Sequence, residues 1–68
     1  MVKDNLGSEI KVGEKALRVD NKWLDTVTIM AIDEKKQTSV CVLSDGGTRT
    51  AWTYPYRLIV QDSLTVNL

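Results

Sequence analysis

The chain contains no histidine and no phenylalanine, and only one cysteine and one proline. Without histidine a Ser-His-Asp triad cannot be built, and with Cys41 alone the usual zinc, copper and non-haem iron ligand sets cannot be assembled from one chain. Cys41 also has no partner for an internal disulfide, which points to a reducing, cytoplasmic setting. No apolar run reaches the length of a membrane span or a signal-peptide core, so no membrane association is expected. Net charge is missing as well. Nine basic and nine acidic residues cancel, which removes the sequence-independent attraction that draws basic domains to nucleic acid.

Sixty-eight residues make one domain, near the lower limit for folding without disulfides or metal. A stability on the order of 3 to 10 kcal/mol is expected, and association into a homo-oligomer is a natural way for so small a scaffold to bury more apolar surface. The charges are unevenly placed. Fourteen of the eighteen lie in the first 36 positions, and only Asp45, Arg49, Arg57 and Asp62 follow. The second half is dressed instead in Ser, Thr and aromatics. That is the composition of an interface centre, although Thr is equally a good strand former.

Residues 1–14, with Gly7 and Gly13, show neither helical nor strand periodicity and read as a flexible arm touching the body through Ile10 and Val12. Strands are predicted at Lys15–Val19, Trp23–Ile32, Thr38–Leu43, Thr48–Thr53 and Leu58–Val60, from β-branched content and alternation. Val27, Ile29 and Ala31 fall on one face of the long second strand. Turns are expected at Asp20-Asn21-Lys22, at the charged segment Asp33–Gln37, and at Asp45-Gly46, a type I′ hairpin signal. Pro55 has no N–H to donate, so the chain must turn at Tyr54-Pro55-Tyr56. A two-residue turn at Asp45-Gly46 would place Trp52 on the side of Cys41 and Leu43, and Ala51 on the side of Val40 and Val42. Residues 62–68 alternate apolar and polar positions and read as a tail or an extra edge strand.

Five short strands with tight turns, a long second strand and a one-turn break before the last define an all-β fold resembling a five-stranded SH3-like small barrel over residues 15–61. Trp23, the long run Val27–Ile32 and the Asp45-Gly46 hairpin resemble the pattern of Tudor-type barrels. That resemblance implies a cation-binding cage walled by Trp23, Tyr54 and Tyr56, with Asp25 or Asp45 as the nearby carboxylate. More locally, the Tyr54-Pro55 step is similar to that of type II dihydrofolate reductases. Their active-site segment reads Val-Gln-Ile-Tyr where this chain has Ala51-Trp52-Thr53-Tyr54, so reductase activity is not carried over. A reductase-like enzyme would also require a tetramer enclosing a pore.

Little else invites catalysis. Cys41, between Val40 and Val42, has no adjacent base to activate it and reads as a small buried residue. Gly46-Gly47 lacks the lysine and helix of a phosphate loop. Asp33-Glu34 lies in a turn beside Lys35-Lys36 and reads as solvated charge rather than an acid–base pair. No catalytic residue, metal site or cofactor is therefore assigned.

The aromatic segment supports two binding readings. In the first, Trp52, Tyr54, Tyr56 and Arg57, with Arg49 and Trp23 nearby, present a surface to a protein partner, and the chain, beginning at Met1, is a stand-alone regulator or inhibitor. In the second, Trp52 and Tyr54 stack on nucleic-acid bases while Arg49 and Arg57 hold phosphates, with Lys11, Lys15, Arg18 and Lys22 extending the patch. Glu14, Asp20 and Asp25 are interspersed among those cations and bring the local charge near neutral. Trp52 itself reads either as part of this surface or as core brought inward by barrel curvature.

Overall fold

The computed structural model describes residues 1–20 and 22–61. The expected extra strand or tail at 62–68 lies outside the described residues, as does Asn21 of the first turn. Five antiparallel strands form one sheet: β1 (Lys15–Val19), β2 (Leu24–Ile32), β3 (Val40–Ser44), β4 (Thr50–Thr53) and β5 (Leu58–Val60). Their spatial order is β4-β3-β2-β1-β5, so every sequential pair except β4 to β5 is a neighbouring hairpin. The all-β expectation holds, and β1 and β5 begin and end where alternation places them. No described helix is long and apolar enough to cross a membrane.

One face of the sheet carries the core. Ala16 of β1, Val27 and Ile29 of β2, Val40 and Val42 of β3, and Leu58 and Val60 of β5 are buried together with Ile10. The register accounts for this set, because residues directly opposite share a face. Ala16 lies between Val27 and Val60, and Ile29 is opposite Val42.

The expected alignment of Ala31 with Val27 and Ile29 is corrected by a bulge. Ile29 faces Val42 and Ala31 faces Cys41, so two steps along β2 match one along β3. Met30 is the extra residue. Parity reverses beyond it: Ile32, opposite Val40, packs against the core, while Ala31 joins Cys41 on the outer face. The backbone around the bulge is held from the other side as well, since Gly13 N–H donates to the Ile29 carbonyl at 2.8 Å and Ile29 N–H donates to the Glu14 carbonyl at 2.9 Å.

The Asp45-Gly46 turn differs from expectation too. No described residue other than glycine has a positive φ, and Gly46 has φ 79°. Gly47 N–H donates to the Ser44 carbonyl at 2.9 Å. Positive φ at the third turn position alone is a type II turn, not type I′. The connection is longer as a result, with Leu43 opposite Thr50 and Cys41 opposite Trp52. Relative to a two-residue loop this register is displaced by two positions, an even number, so each side chain keeps its predicted face.

The arm is folded against the body rather than loose. Asp4 is buried. Its Oδ1 accepts the N–H groups of Leu6 and Ser8 at 3.0 and 2.8 Å, and its Oδ2 accepts that of Val60 at 2.8 Å. Asn5 N–H donates to the Leu58 carbonyl at 3.0 Å. The outer edge of β5 is thereby occupied by residues 4 and 5. Ile10 enters the core as expected, whereas Val12 is 62 % exposed and lies outside the core cluster.

Candidate functional site: an aromatic strip from β4 to the closing turn

After Thr53 the chain leaves the sheet edge and returns to β5 on the opposite edge. Tyr54 is extended (φ −74°, ψ 137°), as the steric demand of the following proline requires. Pro55–Arg57 then form a single 3-10 turn, closed by Arg57 N–H to the Tyr54 carbonyl at 3.1 Å and by Leu58 N–H to the Pro55 carbonyl. A proline at the first position costs nothing there, because its missing N–H would be unpaired in any case.

This turn sets the Tyr54 and Tyr56 rings side by side, with centroids 5.1 Å apart and planes tilted by 34°. Tyr56 is 55 % exposed and stands as a ridge between two open clefts. One is lined by Gln37, Tyr54, Pro55 and Tyr56. The other is lined by Asn5, Val19, Asp20, Tyr56, Arg57 and Ile59. The Arg57 guanidinium carbon sits 5.8 Å from the Tyr54 ring centroid, within cation–π range, and its Nη1 pairs with Asp20 at 3.4 Å. Arg57 Nε is buried without a hydrogen-bond partner. Asn5 Nδ2 donates to the Tyr56 carbonyl at 2.9 Å and fixes the turn to the arm.

Trp52 projects from the outer face of β4 opposite Cys41. It is 45 % exposed while Cys41 is buried, so the indole remains a surface group on the face that Cys41 shares. Lys36 Nζ lies 5.2 Å from the Trp52 ring centroid. Lys36 and Gln37 are consecutive, and one contacts Trp52 while the other lines the tyrosine cleft. The β2–β3 connection thus joins Trp52, Tyr54, Tyr56 and Arg57 into one strip.

Two of the residues singled out from sequence stand apart. Trp23, 62 % exposed, lies at the tip of the β1–β2 hairpin, where its carbonyl accepts the Asp20 N–H at 3.0 Å, and it lines neither tyrosine cleft. Arg49 is exposed in the β3–β4 connection and likewise lines neither.

The carboxylates considered for a cage are engaged with the chain's own cations. Asp45 pairs with Lys15 at 2.6 Å. Asp25 accepts both Arg18 Nε at 3.1 Å and Arg18 Nη2 at 2.8 Å, and also the Ser44 hydroxyl at 2.8 Å. Partial burial pushes the Asp25 carboxyl pKa upward, but the Arg18 and Ser44 hydrogen bonds and the Arg18 charge outweigh it, so the net shift is downward from the ordinary carboxylate value. Lys15, Arg18 and Arg57 are each paired with a carboxylate of the chain.

Lys36, Gln37 and Asn5 had no local signal in the sequence. The first two belong to a segment whose charge reads as a solvated turn, and Asn5 reaches the site only through the folding of the arm onto β5. Comparisons of the chain with protein-family models, with curated proteins and with solved structures found no match.

Proposed function

We propose that the chain is a small non-enzymatic binding module, an SH3-like barrel of Tudor type, that engages a protein partner through the strip formed by Trp52, Tyr54, Tyr56 and Arg57. The observation that carries this reading is the Tyr54–Tyr56 ring pair at a hydrogen-bonded 3-10 turn, with Tyr56 more than half exposed between two clefts. Rigid aromatics held at a surface bury large contact area at little cost in side-chain entropy, which is why such residues dominate protein–protein hot spots. One cation of the chain already lies over each of the Trp52 and Tyr54 rings, and Arg57 is also paired with Asp20. Both features favour a protein partner over stacked bases.

The test is capture of partners from a lysate on the full chain, with and without nuclease and over a range of salt. A protein retained after nuclease and insensitive to salt is the expected result. Capture that disappears with nuclease, or falls steeply with salt as phosphate contacts do, would transfer the strip to the nucleic-acid reading.

A further inference from the structure

The two edges of the sheet are treated differently. The β5 edge is closed by Asp4 and Asn5, whose carboxylate and N–H take up the Val60 N–H and the Leu58 carbonyl. At the other edge, β4 receives no backbone hydrogen bond from any described residue except those of β3. Along an edge strand, alternate residues point both N–H and C=O outward, so β4 offers a short ladder that no described residue pairs with. Edge strands are ordinarily blunted by charge, proline, a bulge or a covering segment. β4 reads Thr50-Ala51-Trp52-Thr53, without charge or proline, and the bulge of this sheet lies in β2 instead.

From this we infer that β4 pairs with β4 of a second copy of the chain, antiparallel and centred on Ala51. A two-fold contact is isologous, so each group must tolerate its own counterpart. An uncharged strand meets that condition, and the exposed methyl of Ala51 leaves room for its counterpart on the axis. In this register Trp52 lies opposite Thr50 of the other copy. The two Trp52 residues, each with its own Lys36, then lie on opposite sides of the axis as diagonal neighbours rather than directly opposite. Centring the pair on Trp52 would set both indoles, and both lysines, against each other. The Ala51 register also brings Arg49, which has no carboxylate partner among the described residues, beside the Thr53–Tyr54 end of the other strand. Two four-residue strands bury less than the roughly 800 Å² per partner of a standard interface, so the dimer is weak and forms only at high protein concentration. This inference does not depend on the aromatic strip having a partner.

Sedimentation velocity of the full chain over a concentration series up to about 1 mM tests this. The mass should climb from the 7.6 kDa of one chain toward twice that value. Ala51→Glu and Ala51→Lys place like charges directly opposite each other, which is destabilising in a strand pair. Each alone should stay at the mass of one chain, and an equimolar mixture of the two should dimerise again. Amide exchange on the unmodified chain gives a readout that needs no variant: β4 amides should slow as concentration rises. A wild-type chain that stays single throughout overturns the proposal, and so does β4 exchange independent of concentration, as expected if residues 62–68 cover this edge. Charged variants that dimerise like the wild type place the contact elsewhere and overturn it equally.

Discussion

The Asp4 carboxylate accepts the backbone N–H of Val60 at 2.8 Å across 56 positions of sequence. The same side chain accepts the N–H groups of Leu6 and Ser8, so one buried residue folds the arm and closes the β5 edge together. Asp4→Ala leaves the buried Val60 donor without its acceptor and frees the arm. It should lower stability by about 2 to 4 kcal/mol, given that each orphaned buried group costs about 1 to 3 kcal/mol. Asp4→Asn, which keeps one acceptor oxygen, should lose less. Urea denaturation of the three proteins measures both, and equal stability of all three would show the arm to be dispensable.

Asp25 joins three strands, holding Arg18 of β1 and Ser44 of β3 from its place on β2. Its folded-state pKa lies below the unfolded value, so the stabilisation it provides is complete above the unfolded carboxylate pKa of about 4 and is lost as pH falls through the lower, folded value. Asp25→Asn should be less stable than wild type by about 1 to 3 kcal/mol at neutral pH. The difference should shrink as the solution is acidified below about pH 4. A gap that stays constant down to pH 2 would contradict the assignment.

Gly46 holds the third position of the β3–β4 turn with φ 79°, a conformation that side-chain-bearing residues adopt only with strain. Gly46→Ala should cost about 1 kcal/mol. For a domain of this size that is a fall in Tm of about 4 to 8 °C. An unchanged Tm would mean that the turn can relax without consequence.

Trp52 lies opposite the buried Cys41 on the neighbouring strand yet is nearly half exposed. Trp52→Ala should therefore fold, at a cost of about 1 to 2 kcal/mol, and should expose the thiol, accelerating its reaction with a soluble thiol reagent under native conditions. Global unfolding of this variant would return Trp52 to the core and remove it from the strip.

The strands were legible because β-branched content and alternation persist along them, and the break at Pro55 was legible because a residue without an N–H cannot continue a ladder. The bulge at Met30 carries no glycine or turn residue to mark it. Beside it, Gly13 and Glu14 meet Ile29 across the β1–β2 pair, a contact that local sequence does not show. The Asp4–Val60 bond has no local signature for the same reason. At the site, Tyr54, Tyr56 and Arg57 come together because one short turn carries all three, and Trp52 is one strand residue away from that turn. Lys36 and Gln37 join through a loop whose path was not encoded in its own charges. Residue type alone groups Trp23 and Arg49 with the strip, but the hairpin tip and the β3–β4 connection hold them elsewhere.

The most direct test of the aromatic strip as a protein-binding surface is Tyr56→Ala, because Tyr56 is exposed and its removal leaves the core set untouched. The variant should unfold in urea within about 1 kcal/mol of wild type and fail to capture the nuclease-resistant, salt-insensitive partner that the wild-type chain retains. Capture of the same protein in the same amount by both would contradict the account.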